Sequence, residues 1–233
     1  MDPREKIALL LNNTAEKLKG LYTDYDRTRF TLSAFSFLAG LFSFAAMISS
    51  NETHQMFLGP MLIAGGFVSW QKFQLSKGKA KKRDDIHSEL AKDVKAIDNG
   101  ADEEYKICIE HCFDMRNMRD KTDRTEEREI LFAGGKIACG IAESNKVVEA
   151  TQPTLNVLVQ PFINFLSTLD PQTKRAYSLI LLIPSLLCDI YDMYKYYPIG
   201  TGRISEQCNA LIKMAKKVKQ KGEHFFFFFL YSK

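Results

Sequence analysis

Ser36 to Trp70 reads SFLAGLFSFAAMISSNETHQMFLGPMLIAGGFVSW. Glu52 is the one acid in it, no lysine or arginine interrupts it, and His54 lies close by. Two physical readings compete for this stretch: a helical hairpin in a bilayer, or the buried core of a soluble helical protein. The apolar run into it begins at Phe30. From Phe30 to Ser50 there are 21 uncharged residues. As a helix they reach roughly 30 Å, one hydrocarbon core. The polar turn Asn51 to Gln55 follows, then a second run, Met56 to Trp70, of 15 residues. That run reaches only about 22 Å as a helix and contains Gly59, Pro60, Gly65 and Gly66. It is short for a crossing, so a tilted, re-entrant or buried helix also fits it. Trp70, with Gln71 and Lys72 after it, reads as an interfacial end.

The side chains expected to enter lipid are Phe30, Phe35, Phe37, Leu38, Leu41, Phe42, Phe44, Phe57, Leu62, Ile63, Phe67 and Trp70. Ser33, Ala34, Ala39, Gly40, Ala45, Ala46, Gly65 and Gly66 are small enough to let the two arms approach closely. Basic residues flank both arms. Arg27 and Arg29 precede the first, and Lys72, Lys77, Lys79, Lys81, Lys82 and Arg83 follow the second. The turn between the arms carries no Lys or Arg. The positive-inside rule then puts both flanks, and both termini, in the cytosol of an intracellular membrane.

The rest of the chain supports an all-α fold. Mean hydropathy is −0.19, ordinary for a soluble protein, but apolar and charged residues are segregated along the chain. Residues 1–29 read as an amphipathic helix with Asp2 as cap and Pro3 in its first turn. Residues 30–70 are the apolar hairpin and 71–129 a charged helical region. In that region Ile86, Leu90, Val94 and Ile97 recur at helical spacing, and a helical hairpin or coiled-coil-like stalk is expected. Residues 130–222 form a second helical region. Gly134-Gly135 is expected to separate two pieces there, and Thr151 to Pro153 and Asp170-Pro171 resemble helix starts. Ala176 to Cys188 is uncharged but short for a span, with Pro184 as an expected kink. Ser205 is expected to cap a last, lysine-rich helix striped by Cys208, Leu211, Ala215 and Val218. Residues 223–233 are a Phe-rich tail, readable as an interfacial anchor or as low-complexity sequence.

Composition narrows the function classes. The net charge of +4 is mild, and no basic stripe interleaves with stacking aromatics, so nucleic acid is not the expected partner. Five cysteines at irregular spacing point to a reducing compartment. The charged 29 residues before the first apolar run argue against a cleaved signal peptide. Cys108, His111 and Cys112 lack a second ligand pair for zinc, so they read as a packing stripe with a solvated histidine. Gly134 to Lys136 and Gly200 to Arg203 resemble phosphate loops in composition alone, without the full spacing or a preceding strand. No catalytic arrangement is suggested, and a non-enzymatic protein without cofactor or metal is expected. The Asn51 and Asn12 sequons read as chance matches, though Asn51 offers a topology assay. Glu52, His54, Asp189 and Asp192 lie beside apolar runs. Protonation would remove the cost of burying such carboxylates, so low pH would favour insertion. The bland reading is a solvated turn and a helix end.

The stretch LLCDIYDMYKYYPIGTGRISEQCNALIKMAKKV, Leu186 to Val218, resembles the apolipoprotein L family. The likeness lies in an apolar run ending in Asp189, a short loop, and Ser205-Glu206 opening a helix with Leu211 and Ala215. The N-terminal plan is similar as well. The resemblance covers about a third of the chain. Here the hairpin is richer in phenylalanine and the charged middle is shorter. It implies lipid binding, conditional membrane insertion, and ion conduction or membrane remodelling. Three functions are therefore set against one another. The first is a lipid-binding, pore-forming or remodelling protein of apolipoprotein L type. The second is a constitutive two-span scaffold or effector, whose cytosolic helices bind a partner or oligomerise. The third is a soluble helical bundle with the hairpin as core.

Overall fold

The computed structural model describes residues 3–49, 52–97, 125–144, 153–197 and 208–219. These are helical apart from short turns, with no strand among the described residues. α1 spans Pro3–Ile48, α2 Glu52–Met56 and α3 Leu58–Ile97. α4 spans Thr125–Ser144, α5 Pro153–Ser167 and α6 Pro171–Tyr196. α7 covers residues 208–219. Outside the described residues lie Asp2, Asn51, the 98–124 segment with Cys108, His111 and Cys112, Thr151-Gln152, Gly200 to Arg203, Ser205 and the Phe-rich tail. The side chains of Glu52 and His54 lie outside them too.

Three expected breaks are absent. α1 continues through residue 29 because no Gly or Pro stands between Leu21 and Ala39. α3 starts with Pro60 in its first turn, where a missing N–H costs no hydrogen bond, and then runs on past Trp70. Gly134-Gly135 lies inside continuous α4 rather than between two helices. A methyl group at Gly135 would stand 2.8 Å from Leu181 Cδ1, so the glycine is there for contact between helices.

The chain divides into two compact units. The first comprises Met1–Tyr25, Gly78–Lys121 and Ile199–Lys233. Its core joins Ile7, Leu11, Leu18 and Tyr22 of α1, Leu90 and Val94 of α3, and Cys208, Leu211 and Ala215 of α7. Lys213, Lys216, Lys217 and Lys219 of α7 face outward. Lys79 stands over the rings of Tyr22 and Tyr25, at 4.7 and 4.4 Å. This unit is apolar inside and charged outside, the pattern that water imposes on amphipathic helices.

The second unit comprises Asp26–Lys77 and Thr122–Pro198. Its core gathers Ala46, Leu58, Leu62, Trp70, Phe73, Ala133, Ile137, Cys139, Val159, Leu166 and Leu182. Helix order follows from the contacts of small residues. Gly40 of α1 faces Leu182 and Leu186 of α6, Gly65 of α3 faces Ala39 of α1, and Gly66 faces Ala133 and Ile137 of α4. α5 packs on α4. In the turn between α1 and α3, the Gln55 amide donates to Ser49 O at 3.0 Å and accepts from Arg175 of α6 at 3.1 Å.

α6 begins as its sequence predicts. Asp170 is the N-cap, accepting from the backbone N–H groups of Gln172 and Thr173, and Pro171 opens the first turn. The hydroxyl and backbone N–H of Thr173, with that of Gln172, hold the Asp170 carboxyl below its ordinary 3.8. A depressed pKa in the fold gives stability that is complete above the unfolded value and is lost as pH falls through the folded one. Asp170→Ala should therefore unfold at lower temperature than the parent at pH 7, and the gap should close as pH drops below about 3.8. Melting curves of both proteins across that range check it, and equal midpoints at pH 7 would refute the cap.

Candidate functional site: a buried charge cluster

Around its apolar core the second unit carries two further sets of side chains, large apolar ones outside and charged and hydroxyl ones inside. Its outside carries Phe35, Leu38, Leu41, Phe42, Ile48, Met56, Phe57 and Phe67 from the hairpin, and Ile180, Ile183, Leu187 and Ile190 from α6. Phe42 is 61% exposed and Leu187 62%. Its inside holds Ser33, Ser36 and Ser43 of α1, Ser69 and Lys72 of α3, Glu129 and Lys136 of α4, and Ser178, Ser185, Asp189 and Asp192 of α6.

Arg29 is the hub, fully buried at 0% exposure. Its Nη2 donates to Glu129 Oε1 at 2.6 Å and to Asp192 Oδ2 at 2.7 Å. Its Nε donates to the same Asp192 oxygen at 3.1 Å, and its Nη1 to the Lys72 carbonyl at 3.3 Å. The planar guanidinium suits this role because its donors diverge in a fixed fork. Lys72 Nζ pairs with Asp189 Oδ1 and lies 3.8 Å from Asp192 Oδ2. Arg128, half-buried, closes the cluster from α4 with contacts to Glu129 at 3.1 Å and Asp192 at 3.3 Å. Thus four helices each contribute a charge where their apolar runs meet the charged sequence.

This placement revises the expected roles of several residues. Asp189 and Asp192 are neither a solvated helix end nor unpaired: they are buried against Lys72 and Arg29. Arg29 and Lys72, expected as flanking basic residues, point inward. Arg27, Lys77, Lys81 and Lys82 remain exposed. Lys79 and Arg83 are half-buried, and Arg83 meets Asp84 at 3.3 Å. Of the expected lipid-entering side chains, Phe35, Leu38, Leu41, Phe42, Phe57 and Phe67 face outward. Phe30, Phe37, Phe44 and Ile63 are half-buried, while Leu62 and Trp70 are buried, the Trp70 ring 5.3 Å from that of Phe73. Trp70 is therefore a core residue inside α3 rather than an interfacial terminus.

Among the described residues two helices are long and apolar enough, by length and composition, to cross a membrane: the one that holds the first arm of the hairpin, and one outside the hairpin in place of its second arm. One is α1; the other is α6, whose apolar run looks short in sequence because Asp189 and Asp192 follow it. With those carboxylates turned inward onto cations, the helix keeps an apolar exterior beyond Cys188. α3 does not qualify. Sequence reasoning misses Arg128, Glu129 and Lys136. Lys136 does leave a signal, as the single charge between Ile130 and Ala142. Among the described residues no cluster of His, Cys, Asp and Glu is placed to hold a metal ion. The chain matches no protein-family model, no curated protein and no solved structure.

Proposed function

We propose that the protein is a constitutive, non-catalytic membrane protein whose second unit sits in lipid. The observation that supports this is the surface just described: large apolar side chains face outward, while ion pairs and serines turn inward beside the apolar core. In water the same unit would expose the large apolar side chains of α1 and α6 to solvent. In lipid that surface is solvated, and the charges, rare and costly within a bilayer, face inward and pair with one another. The buried ion pairs also favour a preformed bundle over a hairpin that must leave a soluble core to insert. Lys72 and Arg29 already offset the burial cost that protonation of Asp189 and Asp192 would otherwise relieve. The exposed Arg27, Lys77, Lys81 and Lys82 would favour the anionic, cytosolic leaflet, which puts both termini on that side. The first unit, with its charged exterior, is then a water-facing helical module for a protein partner or a second copy.

Alkaline carbonate extraction tests the reading. The protein should stay in the membrane pellet. Phe42→Arg puts a charge on the lipid face at a cost of about 2.5 to 3.5 kcal/mol and should move a large part of the protein to the supernatant. Glu16→Arg, on the exposed surface of the first unit, should not. Release of the unaltered protein by carbonate would refute stable spanning.

Ion conduction, which the apolipoprotein L resemblance implies, is the second reading. The observation favouring it is the polar interior formed by Ser33, Ser36, Ser43, Ser69 and Lys136. Flux of ions from liposomes carrying the purified chain separates a conducting protein from a scaffold.

A further inference from the structure

Contacts along the second unit put its helices in register. At one end the Gln55 amide bonds to Ser49 of α1 at 3.0 Å and to Arg175 of α6 at 3.1 Å, so residues 49, 55 and 175 share a level. Midway, Gly65 of α3 faces Ala39 of α1, and Gly40 of α1 faces Leu182 and Leu186 of α6. From that level the three helices rise together, α1 antiparallel to α3 and α6. Equal steps lead to a second level at Ser33 of α1, Gln71 of α3 and Tyr191 of α6. Between the two levels every exposed residue of α1, α3 and α6 is apolar. At the first level the exterior turns to Thr53, Gln172 and Arg175. At the second it turns to Thr31, Gln71 and Tyr191, and beyond them to Arg27, Lys77 and Tyr194. Tyrosines gather at the headgroup level because the ring is apolar and its hydroxyl is not. The ion-pair cluster belongs to the same boundary, since Lys72 and Asp192 each lie one residue past it. α4 crosses this layer from inside. Every residue from Phe132 to Gly140 is buried, so this stretch needs no apolar exterior of its own.

We propose that the second unit is matched to a thin bilayer, one of phospholipids with short or unsaturated acyl chains and little sterol. The helical rise between the two levels is about 24 Å on each of the three helices. An average hydrocarbon core is about 30 Å thick, and a sterol- and sphingolipid-rich one about 32 to 33 Å. A helix that is too long for its bilayer tilts, but tilting a short one lowers its reach further. In a thick layer two outcomes are open to this bundle. Gln71 and Arg175 are drawn into hydrocarbon, or the lipid chains around the helices compress. Both cost more with each ångström of mismatch. The helices cannot slide past one another to gain height, because Arg29, Lys72 and Asp192 tie them at one level and Gln55 ties them at the other. The inference rests on the lipid reading and adds the class of lipid that the unit fits.

The test uses the full chain, reconstituted in phosphatidylcholine vesicles whose monounsaturated chains lengthen in steps from fourteen to twenty-two carbons. The unfolding midpoint should be highest in the fourteen- or sixteen-carbon lipid and fall by several degrees toward twenty-two. A variant carrying Thr31→Leu, Gln71→Leu and Gln74→Leu extends the apolar exterior of α1 and α3. All three side chains are exposed, so the interior is left alone. Its optimum should move to longer chains. Should the variant fail to fold, deuterium resonance of the twenty-carbon lipid provides the second measurement: the unaltered protein should lower the order of the acyl chains around it, as a thinned bilayer requires. A midpoint indifferent to chain length, an optimum at eighteen carbons or beyond, or an optimum that the triple variant leaves in place would overturn the match. Release by carbonate refutes residence in lipid, whereas a pelleted protein indifferent to chain length overturns the match alone.

Discussion

Arg29→Ala should cost the second unit about 3 to 5 kcal/mol of stability, the range for breaking a buried ion pair by removing one partner. Two carboxylates lose their shared counter-charge at once. Glu129 retains only the half-buried Arg128, and Asp192 retains Arg128 at 3.3 Å and Lys72 at 3.8 Å. The Lys72 carbonyl loses a donor in the same place. In a protein of this size such a loss lowers the melting midpoint on the order of 10 °C. Lys17→Ala provides the contrast. Its pair with Glu89 is 3.0 Å long, but the two side chains are 54% and 57% exposed, and surface pairs contribute about 0 to 1 kcal/mol. A triple variant, Arg29→Met with Glu129→Gln and Asp192→Asn, should recover part of the loss because the buried cation and its two carboxylates go together, while the half-buried Arg128 gives up its contacts to both. Thermal unfolding of the four proteins in detergent measures the series. If Arg29→Ala melts with Lys17→Ala, the cluster is not what holds the helices together.

The Arg29 result bears on how far sequence reaches. Local signals are legible: the helical character of the chain, the polar turn between two apolar runs, the Asp170-Pro171 start, and the Cys208, Leu211, Ala215 stripe. Each depends on neighbours within a turn or two. The cluster depends on partners far apart in the chain, since Arg29 meets Glu129 and Asp192 across 100 and 163 positions. Nothing local tells a lysine at the end of an apolar run from a solvated flank, so Lys72 reads as the latter. The same ambiguity shortens α6 in sequence. Asp189 and Asp192 mark the end of a span only if they face water, and here they face Lys72 and Arg29. Gly134-Gly135 misleads for a different reason. Glycine weakens an isolated helix by about 1 kcal/mol, yet where helices touch, its missing side chain is the condition for contact.

Gly140→Ala should destabilise the protein by about 1 to 3 kcal/mol, the usual cost of overpacking, and Gly140→Val by more. The added Cβ would lie 2.6 Å from Gly59 O and 2.9 Å from Ile63 N. Both are backbone atoms of α3, so no rotamer change relieves the clash, and the two helices must move apart. Gly66, where a Cβ would meet Ala133 O and Ile137 N at 3.0 Å, holds the same pair of helices together further along. Separation would therefore disturb a seam and not a point. Helix propensity pulls the other way, favouring Ala over Gly by about 0.8 to 1.0 kcal/mol, so the net sign is itself informative. Gly20 isolates that term. It lies exposed in α1 with nothing within 4 Å of its missing Cβ, and Gly20→Ala should stabilise by about 0.5 to 1 kcal/mol. Melting midpoints that move in opposite directions for the two alanine variants would fit close packing of α3 on α4. A stabilised Gly140→Ala would show that these helices do not approach as closely as the seam requires.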